Sequence, residues 1–194
     1  MIELYNGDCV DVMKTIPQNF VDLTVTSPPY DNLRTYNGNI EQWNFEKFKD
    51  IAKELYRVTA DGGVVVWIVA DATIKGSETG TSFRQALHFM DCGFKLHDTM
   101  IYEKPPRGAV GNNRGYWQSF EYMFVFSKGK PKTINLIKDR KNLEARSGDN
   151  STKRMRDGTL KHITRSGYGE FGRRTNIWKY GIGKGQSTKD DIAC

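Results

Sequence analysis

The stretch that decides the fold is Val21-Asp22-Leu23-Thr24-Val25-Thr26-Ser27-Pro28-Pro29-Tyr30, residues 21–30. Its first six residues alternate apolar and polar side chains and are rich in β-branched types, which is typical of a strand. Two adjacent prolines lack the backbone N–H groups that a ladder needs, so the strand must end at residues 27–30. Open α/β sheets bind their ligands at the carboxyl ends of strands, which is the position of this turn.

Short apolar runs and amphipathic stretches alternate on both sides of this strand. Ile2 to Tyr5 predicts a brief strand, Asp61-Gly62-Gly63 predicts a turn, and Gly93 predicts a helix cap. The remaining predicted elements are helices near 10–16, 45–55 and 82–90 and strands near 64–69, 94–102 and 122–126. This order predicts an α/β layered sheet that ends in an antiparallel pair of strands.

The composition fits one folded domain with a real core. The 194 residues carry a net charge of +6, and 38% of them are hydrophobic. The apolar runs are shorter than the roughly 18 residues that a membrane span needs, so we expect no membrane association and a cytoplasmic protein. Three widely spaced cysteines form no CxxC pair and have no histidine pair at ligand spacing, so we expect reduced thiols and no metal site.

The basic charge is concentrated in the last third of the chain. Residues 1–134 hold 15 Lys and Arg against 16 Asp and Glu, whereas residues 135–194 hold 14 against 7. We therefore divide the chain into an α/β body at 1–134, an irregular basic region at 135–178 and a C-terminal tail at 179–194. Such a cationic region either attracts a phosphate backbone or forms a solvated surface, and its charge alone does not decide between the two.

Ser27-Pro28-Pro29-Tyr30 has a specific chemical interpretation. An exocyclic amino nitrogen of a base is a poor nucleophile because its lone pair is delocalised into the ring. A side-chain oxygen of Ser27 and a rigidly placed carbonyl of Pro28 can accept its two protons and let the nitrogen pyramidalise. Tyr30 can stack on a base that is rotated out of the duplex. The alternative is that the two prolines only end a strand.

Several segments together resemble one family. The segments are Asn6-Gly7-Asp8-Cys9-Val10, residues 16–30, residues 57–64, Gly93-Phe94-Lys95-Leu96, Phe120-Glu121-Tyr122 and residues 126–130. In this order they resemble the amino-group DNA methyltransferases of restriction-modification systems, which make N4-methylcytosine or N6-methyladenine. The resemblance covers nearly all of residues 1–134, with the catalytic motif before the cofactor motif.

The resemblance implies a Rossmann-like sheet, S-adenosylmethionine as the cofactor and double-stranded DNA as the substrate. It assigns Ser27, Pro28, Pro29 and Tyr30 to the catalytic motif, and Asp8 and its neighbour Cys9 to the cofactor's adenosine. Serine at the first motif position is more typical of N4-cytosine enzymes than of N6-adenine enzymes. The basic region occupies the place of DNA recognition in this family. Its candidate DNA-binding residues are Lys153, Arg154, Arg156, Arg173 and Arg174.

One expected motif is missing. The family closes a strand of its cofactor half with a glycine-rich loop, but Gly181-Ile182-Gly183-Lys184-Gly185 follows no predicted strand and opens no helix. The sheet is therefore expected to be partial, with the edge of Val21 to Thr26 exposed and open to pairing. We infer a truncated or split enzyme that a second polypeptide or a second copy completes. The alternatives are a catalytically silent DNA-binding remnant and an RNA or protein methyltransferase.

Overall fold

The computed structural model describes residues 2–29, 43–105, 115–142, 148–165, 167 and 169–181. The chain divides into two compact units, Met1–Thr133 with Asn176–Cys194, and Ile134–Thr175. The elements of the first unit are α1 Cys9–Thr15, β1 Val21–Thr26, α2 Phe45–Val58, β2 Thr59–Val69, β3 Thr73–Ile74, β4 Ser77–Glu78, α3 Thr81–Asp91, β5 Lys95–Glu103 and β6 Phe120–Ser127. The second unit contains four strands, β7 Arg140–Lys141, β8 Asp149–Arg154, β9 Leu160–Arg165 and β10 Phe171–Gly172. The chain then returns to the first unit with β11 Ile177–Lys179.

The first unit is built on a five-stranded sheet in the order β1-β2-β6-β5-β11. The pairs β1–β2 and β5–β11 are parallel, and β6 runs antiparallel to both β2 and β5. Four of the five strands therefore point in one direction. The α/β prediction is confirmed, and the predicted antiparallel pair is the pair of β5 and β6.

The helices cover one face of this sheet. The amphipathic helix α2 begins at Asn44, whose side chain accepts a hydrogen bond from the Lys47 N–H at 2.9 Å. Its buried residues and those of α3 form a core with alternate residues of β2 and β6. This core includes Phe48, Ile51, Ala52, Leu55, Val65, Trp67, Val69, Phe89, Phe124 and Phe126. Every second residue of the strands and one face of α2 and α3 are thus buried in the same layer, between the sheet and the helices.

The face of the sheet that the helices do not cover is exposed at β1, which is an outermost strand. Leu23 and Val25 are paired in register with Val64 and Val66 and therefore share a face with them. Their side chains are 59% and 61% exposed. No strand among the described residues pairs with the second edge of β1. An exposed apolar edge strand of this kind is a template for pairing with another strand.

Several local predictions differ from the structure. Ile2 to Tyr5 form no strand and are exposed, because they find no strand to pair with in the described part of the chain. Asp61-Gly62-Gly63 lie inside β2, where they form an irregularity between the pairs Val21–Thr59 and Leu23–Val64. Gly93 does follow α3 with a φ of 110°, and its N–H donates to the Met90 carbonyl at 2.9 Å.

The basic region is less irregular than predicted. In the second unit, β8 and β9 form an antiparallel hairpin and β7 pairs with β10. The strand β11 lies in the first unit's sheet, so Asn176, Ile177 and Trp178 do not belong with the basic region.

Candidate active site

Ser27-Pro28-Pro29 directly follow β1 at the carboxyl edge of the sheet. The last pair of the β1–β2 ladder joins Thr26 to Trp67, so this turn lies beside the end of β2. Ser27 is exposed, Pro28 is buried and Pro29 is half-buried. The fixed φ of the buried Pro28 restricts the direction of its carbonyl, and Ser27 beside it is an exposed residue. Tyr30, the fourth residue of the predicted motif, lies outside the described residues.

A buried carboxylate follows β2 at the same edge. Asp71 is only 2% exposed, and its carboxylate accepts hydrogen bonds from the Ser82 N–H at 2.9 Å and the Thr79 hydroxyl at 3.3 Å. It also accepts one from the Ser82 hydroxyl. These bonds cap the first turn of α3, whose N-cap position is Gly80. Asp71 is not among the site residues predicted from sequence, although an acidic residue two positions after an apolar strand is a recognisable signal.

A charged pair, Lys104 and Glu121, lies where β5 ends and β6 begins. Lys104 forms an ion pair with the buried carboxylate of Glu121, and Glu121 is opposite Tyr102 in the β5–β6 ladder. Burial, followed by the charge of Glu121, raises the pKa of the Tyr102 phenol. Because Val69 pairs with Tyr122, these residues lie at the same sheet edge as Ser27.

The structure places Asp8 and Cys9 at the start of α1. The Asp8 carboxylate accepts a hydrogen bond from the Val10 N–H at 2.9 Å and forms an ion pair with Lys47 at 2.7 Å. The hydrogen bond from Lys47, followed by that from Val10, lowers the pKa of Asp8. Burial of the thiol, followed by the charge of Asp8, raises the pKa of Cys9. Asp8 therefore caps α1 and links it to α2.

The two ends of S-adenosylmethionine call for different residues. The placement of Asp8 and Cys9 near its adenosine end stays a prediction from the resemblance. Within the described ranges no strand continues into a glycine-rich loop and a helix, which would hold the methionine end. The prediction that no strand precedes the glycine run 181–185 is wrong, because β11 ends at Lys179, two residues before Gly181. A strand over 177–179 is too short to be recognised from its sequence pattern. Residues 182–185 lie outside the described part of the chain.

The candidate DNA-binding residues lie in the second unit. Lys153 and Arg154 are in β8, Arg156 is in the turn that follows, and all three are exposed. Arg173 and Arg174 come after β10. The Arg174 guanidinium pairs with Asp139 and lowers the pKa of that carboxyl. The structure thus brings three of the five residues together on one hairpin and commits Arg174 to an ion pair.

Comparison with known proteins identifies the family. A family model described as DNA methylase matches residues 21–191, which is most of the chain. The chain belongs to the DNA methylase family. A curated relative, the orphan methyltransferase M.BamHII of Bacillus amyloliquefaciens, is 57% identical over 191 residues, covering 96% of this chain and 66% of its own length. The type II methyltransferase M.SfiI of Streptomyces fimbriatus is 27% identical over 158 residues, covering 69% of this chain and 37% of its own length.

Solved structures share the fold. The PvuII DNA methyltransferase, described as cytosine-N4-specific, has a TM-score of 0.60 at 17% identity, covering 94% of this chain and 58% of that chain. The Thermus thermophilus protein TTHA0409 complexed with S-adenosyl-L-methionine has a TM-score of 0.51 at 24% identity, covering 66% of this chain and 55% of that chain. The Rossmann-like fold is therefore confirmed. The prediction of S-adenosylmethionine as the cofactor of this family is confirmed as well.

The chain is shorter than these curated relatives. The chain spans less than two thirds of the length of M.BamHII and a smaller share of M.SfiI. Across the described ranges, no helix is both long enough and apolar enough to cross a membrane.

Proposed function

We propose that the chain provides the catalytic and DNA-recognition parts of an enzyme that methylates an exocyclic amino group in double-stranded DNA. The observation that carries this proposal is Ser27-Pro28-Pro29 at the carboxyl end of β1, in a member of the DNA methylase family. At this place in an open α/β sheet, a ligand can approach the turn without displacing the core.

The role of the turn follows from its donors and acceptors. The Ser27 hydroxyl and the Pro28 carbonyl accept the two amino protons of a flipped base, and the nitrogen becomes pyramidal. When bound, S-adenosylmethionine would supply an activated methyl group to this nitrogen and would keep the electron pair of the broken carbon–sulfur bond on its sulfur. The methylated nitrogen then loses one proton to water, either directly or through the Ser27 hydroxyl, which can accept one proton and donate another. No histidine or cysteine nucleophile is needed, because the base nitrogen itself attacks.

N4 of cytosine is the favoured target within this proposal. The support is the serine at position 27, which resembles the N4-cytosine enzymes more than the N6-adenine enzymes. Both bases present an amino group with two protons, so the turn itself can serve either. Their discrimination must come from residues that contact the rest of the base.

The cofactor half is proposed to come from a further polypeptide segment that pairs with β1. The exposed residues Leu23 and Val25 and the second edge of β1 are the support. A strand added there would lie next to the catalytic turn and would bury both side chains. The occupant that we propose corresponds to the part of M.BamHII outside the 191 matched residues; a second copy of this chain is the alternative.

A silent DNA-binding protein is the second candidate function. Its support comes from the sequence, in which the glycine-rich motif of the family is not recognisable; most of the glycine run that follows β11 lies outside the described residues. Such a protein would use the basic residues of the second unit and would transfer no methyl group.

The test compares the wild-type chain with Ser27→Ala, each with and without the remaining part of M.BamHII as a separate polypeptide. We expect labelled methyl incorporation into DNA by the wild type with that polypeptide. Ser27→Ala should lose it by about 100-fold or more, the usual effect of removing one group that stabilises a transition state. DNA binding, measured by fluorescence anisotropy, should change less than twofold. Full activity of Ser27→Ala would refute the role of Ser27, and binding without any transfer would favour the silent protein.

A further inference from the structure

The hairpin of β8 and β9 has two different faces. Its register pairs Ser151 with Ile163 and Lys153 with Lys161, so these four residues share one face. Ser151 and Ile163 are half-buried, and the Ser151 hydroxyl oxygen is shielded from solvent. Among these four residues of the inner face, Ser151 and Ile163 are thus partly covered, whereas Lys153 and Lys161 are exposed.

The other face is open along its whole length. We call it the outer face; its residues are Asn150, Thr152, Arg154, Leu160, His162 and Thr164. All six are exposed. The Thr164 hydroxyl donates a hydrogen bond to the Asn150 side-chain oxygen at 3.1 Å, which orients that amide across the two strands. Five of the six side chains on the outer face are thus polar, and Leu160 is the apolar one.

The residue types on the outer face match the edges of bases. Arginine can donate two hydrogen bonds to guanine, asparagine pairs with adenine, and threonine can donate, accept or contact the thymine methyl group. The outer face contains no carboxylate that a phosphate would repel. At the tip, Asp157 accepts hydrogen bonds from the Thr159 N–H at 3.0 Å and hydroxyl at 2.7 Å. Its charge is therefore directed into the turn.

The dimensions of the hairpin also fit duplex DNA. Two paired strands lie about 4.8 Å apart, and with their side chains they fill a major groove that is about 12 Å wide. Two-stranded ribbons are a known way of reading the major groove, with one face on the bases and the other on the protein. The inner face of β8 and β9, being half-covered, suits the second role.

We propose that the β8–β9 hairpin enters the major groove and that its outer face determines the DNA target sequence. Arg154 and Asn150 contact base edges, and Lys153 and Lys161 contact the flanking phosphates. This inference rests on the proposed function, since it assumes that DNA is the substrate. Beyond that function, the hairpin is assigned as the element that reads the DNA sequence, with Arg154 on base edges and the adjacent Lys153 on phosphates.

Lys153 and Arg154 provide a matched pair for the test, because they are adjacent, both basic and on opposite faces. The full chain, its Lys153→Ala variant and its Arg154→Ala variant each select from a pool of randomised duplexes, and the bound sequences are counted. Lys153→Ala should weaken binding to all sequences alike and lower the log–log salt dependence by about one. Arg154→Ala should weaken binding to the preferred sequence by about 5- to 150-fold and lose discrimination at one base pair, while its affinity for unrelated sequences changes less.

The outcomes separate this inference from the proposed function. If the wild type selects a sequence and Arg154→Ala selects it equally well, the hairpin does not read bases and the inference is wrong. A wild type that binds DNA with no sequence preference also overturns it. A chain that binds no duplex at all overturns the proposed function itself. Loss of preference at one position in Arg154→Ala, with Lys153→Ala unchanged in preference, supports the hairpin as the reader.

Discussion

The substitution Leu23→Lys tests whether the edge of β1 receives another strand. Leu23 lies in β1, its side chain is 59% exposed, and its neighbour across the ladder is Val64. In the isolated chain a lysine at this position should change the free energy of unfolding by less than about 0.5 kcal/mol, because the position is already exposed. In a completed sheet the same lysine would be buried against apolar neighbours.

The expected effect on binding follows from the exposed fraction. Complete burial of a leucine side chain is worth about 1.5–3 kcal/mol. Since 59% of Leu23 remains to be buried, covering it contributes about 1–2 kcal/mol, or about a 5- to 30-fold difference in affinity. The cost of burying the lysine's charge adds to this loss.

The assay is the affinity of the chain for the remaining part of M.BamHII, measured by calorimetry, together with the thermal stability of each chain alone. Leu87→Lys is the matched control, because Leu87 is 61% exposed on the outer surface of α3. We expect weaker association for Leu23→Lys and unchanged association for Leu87→Lys. Equal affinities of the two variants would refute the placement of the partner strand on β1.

Two further predictions concern the body of the first unit. Gly93 has a φ of 110°, and a Cβ there would lie 2.8 Å from the Tyr56 ring. Gly93→Ala should therefore lower the free energy of unfolding in urea by about 2–4 kcal/mol, from backbone strain and overpacking. Gly129→Ala, with a φ of 78° and nothing within 4 Å, should cost only the strain, and an equal loss in both would contradict the role of Tyr56. Cys9 is an exposed residue, yet partial desolvation of its thiol raises its pKa. Its alkylation by iodoacetamide, followed by mass spectrometry, should therefore be slow at neutral pH and accelerate as the pH rises; rapid labelling at pH 7 would contradict this.

The body of the fold was predictable because its signals are local and agree with one another. Val21 to Thr26 alternate and then meet two prolines, and the structure has a strand with those bounds. Phe48, Ile51, Ala52 and Leu55 fall on one helical face and are buried in α2. In both segments the periodicity of the residues and the burial of one face carry the same information.

The brief strand at Ile2 to Tyr5 was wrong for a physical reason. A strand needs a partner for its backbone groups, and alternation or hydrophobicity in the sequence does not reveal whether one exists. Ile2 and Leu4 are exposed in the structure. The same limit applies to Asp61-Gly62-Gly63, where the turn residues form an irregularity within β2 and do not end it.

The hairpin of the second unit was missed because it lacks an apolar alternation. Its strand β8 contains Asp149, Asn150 and Ser151, residue types that are rare in strands. Asp157-Gly158 between two threonine-containing stretches is the turn signal that could have indicated it. A ribbon whose outer face is directed to DNA carries polar residues where a core strand carries apolar ones.

Within the candidate site, the catalytic turn could be found from sequence, whereas its surroundings could not. Ser27-Pro28-Pro29 is a local motif, but Asp71 and the Lys104–Glu121 pair reach the same edge only through the strand order. Arg174 was predicted to bind DNA, but the sequence could not reveal that its guanidinium pairs with Asp139, which lies 35 residues earlier in the chain. The roles of these residues stay predictions.

The identity of the methylated nucleoside shows whether methyl transfer reaches an exocyclic amino group and whether Ser27 is needed for it. DNA treated with the wild-type chain, the remaining part of M.BamHII and labelled S-adenosylmethionine is digested to nucleosides and separated by chromatography. The account predicts label in N4-methylcytosine, or in N6-methyladenine if the target is adenine, and its loss in Ser27→Ala. Label in 5-methylcytosine, or equal label with Ser27→Ala, would contradict it.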